Sequence, residues 1–373
     1  MNTKIKILHI IKSLGRGGAE MLLPEALKLH DKDFFEFHYI YFLPWKDQMV
    51  DSLKKYDGRV VCISANNNIR MMLRVKDVVS YIHEQGIQLI HAHLPWAGIV
   101  ARRVGKITGV PVLYTEHNKQ ERYHVLTRWM NLATMSQLTH LIAVSIDVEE
   151  SIRKHKPNLA VPLQTILNGV NVKHFAPDQG SGEEIRQLFS IPEGVPIIGT
   201  IAVFRFQKRL DLWIEIATEI LKEIPQAHFI IVGDGPLKEK LLAKRNSLGL
   251  ENKIHFAGLQ TEVRPYLAAF DIYMMSSIFE GLPIALLEAM ASGCPVISTD
   301  AGGVKEVIDH EIDGLVCSVD RPNLLKDFAI GLLKNEQQRK GLGLAGRKKV
   351  TQSFSMEKMV RELENLYKRY THD

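Results

Sequence analysis

Cysteine is nearly absent: Cys62, Cys294 and Cys317 are the only three in 373 residues, and no two stand as C-x-x-C. So small and scattered a set argues against a disulfide framework or a zinc cluster and favours a reducing compartment. Long apolar runs are missing as well. The opening MNTKIKILHIIKS is interrupted by His9 and Lys12 and reads as a first strand, not as the core of a leader peptide. Nothing approaches the roughly 18 to 20 apolar residues of a membrane span, so a cytoplasmic protein is expected. There is no internal repeat and no low-complexity tract. The turn after the first strand, GRGGAE at Gly15–Glu20, lacks the G-x-G-x-x-G spacing that a dinucleotide-dependent dehydrogenase needs. What is present is an ordinary globular composition, 46% hydrophobic and 24% charged, in a chain long enough for two α/β domains.

Charge is uneven. Residues 1–172 hold 22 basic and 15 acidic residues, net +7, and ten of the fifteen histidines; the rest of the chain is net −2. A basic half is suited to nucleic acid, anionic lipid or an acidic substrate, or is simply uneven surface charge.

Short apolar runs alternate with amphipathic stretches. Strands are expected at Ile5–Ile11, Phe37–Phe42, Val60–Ile63, Leu89–His93, Val112–Thr115, Leu141–Val144 and Thr165–Leu167, with helices such as Ala19–Leu29, Met71–Glu84, Ala97–Ile107 and Thr127–Leu138 between them. Asn171–Gly182 (NVKHFAPDQGSG) reads as a linker. The alternation restarts at Ile197–Ile201 and continues through His228–Val232, Ile254–Phe256, Ile272–Met275, Val296–Ser298 and Leu315–Cys317. It closes with an amphipathic helix, Met356–Tyr370, whose stripe is Met359, Leu363, Leu366 and Tyr370. Two doubly wound α/β halves follow, with ligands expected beyond the carboxyl ends of the strands and in a cleft between facing halves.

The densest chemistry lies in Phe279–Asp300, FEGLPIALLEAMASGCPVISTD. A helix starting near Pro283, with proline at the first helical position, leaves the Ile284 to Leu286 amides unpaired. Those amides, at the positive end of the dipole, suit a phosphate. Glu280, before the turn, is placed to reach sugar hydroxyls. Glu288, eight positions later and within the helix, is placed to accept two hydroxyls of a ribose. As a bare spacing, two glutamates could equally be a cap and a solvated helix residue; the whole string is far more specific.

That string resembles the E-x7-E segment of the retaining GT-B glycosyltransferases of family 4. The resemblance extends in family order over GRGGAE, Thr115–Asn118 (TEHN), Leu167–Val170 (LNGV), Arg205–Lys208, Gly233–Pro236 (GDGP) and the glycine pair Gly302-Gly303 followed by Glu306. It implies an α/β GT-B fold of two facing Rossmann-like domains. These are an acceptor-binding domain at 1–172, to which the C-terminal helix (356–373) returns, and a donor-binding domain at 173–355. The implied activity is a retaining, metal-independent hexosyl transfer from a nucleotide sugar. The donor is expected to be a UDP-hexose or UDP-N-acetylhexosamine, the acceptor a growing polysaccharide or lipid-linked saccharide, with no nucleic-acid partner and no cofactor beyond the substrate.

The family roles carry over residue by residue. Gly17 and Gly18 would lie under the donor diphosphate, and His117 would hydrogen-bond the donor sugar beside the acceptor. Arg205 and Lys208 would stabilise the departing diphosphate, although the loop RFQKR is two residues shorter than is usual. Glu280 would orient the sugar. Gly258, Leu259, Gly281, Leu282, Ile284, Ala285 and Glu288 would complete the donor site. Asn168 is expected to serve the turn at Gly169. His91 and His93 share one side of a strand, but no third ligand stands at matching spacing, so no metal is expected. An epimerase or phosphorylase on the same fold, or a binding protein without turnover, are the rival readings. IRMMLRVK (Ile69–Lys76) and YHVLTRWM (Tyr123–Met130) interleave cations with large apolar residues. With the basic first half they point to loose association with an anionic membrane face.

Overall fold

The computed structural model describes residues 4–15, 17–177 and 181–371. In chain order the first run is β1 (Ile5–Ile10), α1 (Gly18–Leu29), β2 (Phe35–Tyr41), α2 (Val50–Lys55), β3 (Arg59–Cys62), α3 (Asn68–Leu73), α4 (Val75–Gln85), β4 (Leu89–His93), α5 (Pro95–Thr108), β5 (Val112–Glu116), α6 (Val125–Thr134), β6 (His140–Ala143), α7 (Ile146–His155) and β7 (Leu163–Thr165). The second is α8 (Glu183–Leu188), β8 (Ile197–Ile201), α9 (Leu210–Glu223), β9 (His228–Val232), α10 (Lys238–Ser247), β10 (Ile254–Gly258), α11 (Arg264–Ala269), β11 (Ile272–Met275), α12 (Ile284–Ala291), β12 (Val296–Thr299), α13 (Val304–Val307), β13 (Leu315–Cys317), α14 (Leu324–Lys334) and α15 (Glu336–Ser353). The chain ends in α16 (Met356–Thr371).

Two compact units result. Unit 1 runs to Gly169 and takes in Met356 onward; unit 2 is Val170–Ser355. The division falls between Gly169 and Val170, not at the expected 172/173, because Val170 bridges Ser355 and donates to the Phe354 carbonyl, whereas the Gly169 amide donates to Met359 Sδ. Of the expected linker, residues 178–180 lie outside the described residues.

Unit 1 is a parallel sheet of order β3-β2-β1-β4-β5-β6-β7, and unit 2 a parallel sheet of order β10-β9-β8-β11-β12-β13. Each strand order reverses once, between β1 and β4 and between β8 and β11, and loops that diverge at such a switch point leave a crevice for a ligand. Separate cores hold the units, one around Leu8, Ile40, Ile90, Val100 and Leu141, the other around Ile198, Trp213, Phe229, Met274 and Ile297. Each such fully buried side chain stabilises its unit by about 1.5–3 kcal/mol relative to exposure.

Two expected elements differ. The single helix Met71–Glu84 is two: Asn67 caps α3 by accepting from the Arg70 amide, and the chain breaks at Arg74 before α4 begins. In α16 the fully buried aromatic is Tyr367, while Tyr370 is half-buried and hydrogen-bonds His140. The helix packs on α1 and β4 within unit 1.

Candidate active site

In unit 2 the residues gather at the switch point. The loop after β8 carries Arg205 and Lys208, and the loop after β11 carries Ser276, Ser277 and Glu280. Lys208 Nζ lies 2.5 Å from Glu280 Oε1, which also accepts from Ser277 Oγ at 2.6 Å. Ser276 Oγ donates to the carbonyls of Lys208 and Arg209, and Ile278 N to that of Gln207, so the two loops are laced together. Arg209, the other basic residue of RFQKR, turns to the Val319 carbonyl instead. Arg205 is exposed and makes no ion pair with the described residues.

Helix α12 starts one residue later than expected. Pro283 is extended (φ −76°, ψ 107°) and stands before the first helical residue. The Leu286 and Leu287 amides both donate to its carbonyl, which leaves only the Ile284 and Ala285 amides without a backbone acceptor among the described residues. Two free amides, not three, face the end of the helix where an anion is stabilised. The preceding turn is fixed by the Gly303 amide donating to Gly281, whose carbonyl would lie 2.0 Å from any Cβ at Gly303. Leu282 is buried beneath. Glu288, one turn into α12, is 8% exposed and is not the solvated helix residue that its spacing alone allowed. It and Glu280 both lie near enough to Tyr273 to hold that phenol protonated, after burial. Gly258 ends β10 in the left-handed region (φ 69°) beside exposed Leu259, and its carbonyl accepts from the Gly233 amide.

In unit 1 Gly17 precedes α1 and Gly18 opens it. Arg16 lies outside the described residues. His117 follows β5, and behind it stands a histidine cluster that spacing alone concealed. Parallel pairing sets His9 of β1 beside His91 of β4 and His93 beside Thr115 of β5. His9, His91 and His93 are buried and bring ring nitrogens within 4.8 Å of one another, so the third histidine sought beside His91 and His93 is His9, 82 positions upstream of His91. Both His91 nitrogens are already engaged, by Tyr367 OH at 2.8 Å and Thr115 Oγ1 at 2.7 Å. Burial is the main cause that drives His9 and His93 well below the usual histidine range, His91 down to about 3 and His117 to about 4. A cavity of about 40 Å³ borders His9, His93, His117 and Asn168. Asn168, buried next to Gly169, lines this cavity too.

The chain's one Asp-x-Asp, Asp31-Lys32-Asp33, is spent locally: Asp31 Oδ1 accepts from the Asp33 and Phe34 amides before β2. Beside His117, Glu116 is fully buried and receives the His117 and Asn118 amides, Tyr114, Gln120, Asn131 and, in a very short contact, Tyr123. Burial raises its pKa against the pull of those bonds. Arg102 lies 4.5 Å over the Tyr114 ring and donates to Asn131 and Thr134. This network pins the loop that carries His117.

Two family models divide the chain: "Glycosyl transferases group 1" matches residues 181–349 and "Glycosyltransferase Family 4" matches residues 32–174. The chain belongs to the group 1 glycosyltransferases of family 4. The glycosyltransferase is 24% identical over 384 residues to an Escherichia coli UDP-Gal:alpha-D-GlcNAc-diphosphoundecaprenol alpha-1,3-galactosyltransferase, spanning 98% of this chain and 97% of that one. It is 33% identical over 221 residues to the Bacillus anthracis N-acetyl-alpha-D-glucosaminyl L-malate synthase, 59% of this chain and 56% of the relative. In structure it is similar to Anabaena HepE in complex with UDP-glucose, with TM-score 0.87, 21% identity, and coverage of 98% and 100%. The fold of the glycosyltransferase is GT-B. No helix among the described residues is long and apolar enough to cross a membrane.

Proposed function

We propose that this glycosyltransferase moves a hexose or N-acetylhexosamine from a UDP-sugar, with retention at the anomeric carbon and without a metal ion, to a polysaccharide or lipid-linked saccharide. The observation that carries the reading is the cluster at the unit 2 switch point: Arg205, Lys208 against Glu280, and the paired free amides of Ile284 and Ala285. The bond from C1 to the β-phosphate oxygen breaks as the bond from C1 to the acceptor oxygen forms. The electron pair leaves with UDP, and the acceptor proton passes to the diphosphate. Arg205, Lys208 and the α12 amides stabilise the charge that develops on the leaving group. Lys208 exchanges part of its contact with Glu280 for phosphate, which releases Glu280 to orient sugar hydroxyls. Glu288 holds the ribose, and Gly258 and Leu259 border the base. UDP-linked donors and lipid-linked acceptors are supported by the substrates for which the E. coli relative is named and by the ligand of the Anabaena structure.

Association with an anionic membrane is supported by the two interleaved segments. Ile69 and Leu73 of α3 are 76% and 74% exposed, and Val125 and Trp129 of α6 are 67% and 66% exposed. Arg70, Arg74 and Lys76 are exposed in or beside α3. Both helices pack on α5, so they share one face of the unit 1 sheet.

The test is a thermal-shift screen of nucleotide sugars followed by slow donor hydrolysis without acceptor, with and without EDTA. A ligand that binds only the native state raises Tm. A UDP-sugar that stabilises the protein and is hydrolysed equally in EDTA supports the reading. Stabilisation without turnover would favour a binding protein, and loss of turnover in EDTA, restored by a divalent cation, would overturn metal independence.

A further inference from the structure

His117 does not stand alone. Its Nε2 lies 3.3 Å from His93 Nδ1, and His93 Nε2 lies 3.0 Å from His9 Nδ1. The His9 and His93 rings are stacked within 9° of parallel, 5.3 Å apart. The chain of contacts stops there: His9 Nε2 is buried and has no hydrogen-bond partner among the described residues. The cavity that His9 borders has apolar lining from Ala19, Leu22, Leu23, Ala26, Met359 and Leu363. His91 takes no part, since Tyr367 and Thr115 hold both of its nitrogens.

Proton counting then fixes the tautomers. Three neutral imidazoles carry three ring protons, one each. Each of the two N···N contacts needs one proton: none would oppose two lone pairs, and two would oppose two N–H groups. Two protons are thus committed, and the third sits at one of the two ends, His9 Nε2 or His117 Nδ1. At His9 Nε2 it would be a buried donor with no acceptor, and orphaned buried N–H groups are rarer than under-satisfied acceptors. At His117 Nδ1 it leaves only a lone pair unpaired at the buried end. The second arrangement wins, and it places the proton of every ring on Nδ1.

We propose that His93 and His9 are positioning residues that hold His117 as the Nδ1–H tautomer, so that His117 is a hydrogen-bond donor to a substrate oxygen and not the base that takes the acceptor proton. The relay consists of His9 Nδ1–H donating to His93 Nε2 and His93 Nδ1–H donating to His117 Nε2. Two strands of the sheet and one loop hold its three rings, which is why the tautomer survives without a carboxylate partner. The role for His117 rests on the glycosyl-transfer reading; the tautomer does not.

Long-range proton–nitrogen correlation spectra of the full-length protein, labelled with nitrogen-15 histidine at neutral pH, read the tautomers directly. The expected pattern is Nδ1–H for His9, His93 and His117. An Nε2–H tautomer at His117 overturns the inference. Two variants then test its consequence. His93→Phe removes the donor to His117, and His93→Asn places an amide N–H near the position of Nδ1. In the phenylalanine variant His117 should lose its fixed tautomer and kcat should fall about tenfold, the worth of one hydrogen bond, with donor KM little changed. The asparagine variant should restore the Nδ1–H signal and most of kcat. An unchanged kcat in folded His93→Phe, or equal losses in the two variants, overturns the positioning role. Failure of the native protein to turn over any nucleotide sugar would instead sink the parent reading, while the spectrum still decides the tautomer.

Discussion

In unit 2 the charged candidates Arg205, Lys208 and Glu280 sit on loops, whereas in unit 1 the histidines sit on or beside strands and are neutral. Lys208 and Glu280 are partly exposed, 20% and 12% at the side chain, and meet as ions. His9, His91 and His93 are buried and held uncharged at neutral pH. The contrast matches two tasks. A diphosphate arrives with its own charge and is met by fixed cations and helix amides, which tolerate water around them. An uncharged hydroxyl or ring oxygen offers no such handle and is placed by hydrogen bonds of defined direction, which burial protects from competing water.

The sharpest way to break this division is to neutralise its charged side. Glu280→Gln keeps the size and one accepting oxygen but removes the negative charge that faces Lys208, and kcat should fall about 10²–10³-fold, as for loss of a preorganised polar contact. Glu288→Gln, one turn into α12, should instead raise donor KM about tenfold with kcat nearly intact, because it weakens ribose binding equally in ground and transition states. Steady-state kinetics of both variants check this. Near-native constants for both would remove the E-x7-E pair from the site.

Legibility follows the same division. The donor half was readable because its groups lie within a few residues of one another along loops: FEGLPIALLE places Glu280, the turn and the α12 amides in one stretch. Even there, α12 starts one position after the proline, and an extended Pro283 looks the same in sequence as a helical one. His9 was missed because it is a lone histidine in an apolar strand, and only the β1–β4 register brings it to His91. Glu116 was visible inside TEHN, yet its six-donor environment comes from residues spread over β5, the following loop and α6. Helix α15 carries a weak apolar stripe in sequence, because its buried positions include Gly343 and Gly346 in place of large apolar residues.

The neutral side answers to pH. With folded values depressed and an unfolded value of about 6.5, the unfolded chain binds protons that the native histidines refuse. Stability is therefore full above about pH 7 and is lost as pH falls through 6.5 toward the depressed values, at up to about 1.4 kcal/mol per pH unit for each such group. His9, His91, His93 and His117 act in this sense, as do His30, His38, His140, His228 and His255, whereas Glu116 and Asp313, whose pKa burial raises, act in the opposite one. Tm should be several degrees lower at pH 5 than at pH 7.5, and a Tm that rises on acidification would show that the cluster is not held neutral.

The smallest effect is expected at the surface of unit 1, where apolar and basic groups are interleaved without being buried. An interfacial helix sinks its apolar side chains into the head-group boundary while its cations meet anionic lipid. Ile69, Leu73, Val125 and Trp129 provide the first element, and Arg70, Arg74 and Lys76 the second. Few charges and short helices make such binding weak, so it should show as partial co-sedimentation with anionic vesicles and little with neutral ones. Raising salt screens the charges over a length of about 10 Å at 0.1 M and less above it, and should release most of the bound fraction. Trp129→Gln with Leu73→Gln should release it at low salt too, leaving turnover of a soluble acceptor unchanged, because neither residue belongs to the candidate active site. If the native protein stays in the supernatant with both lipids, the membrane reading fails, and a soluble saccharide becomes the better acceptor.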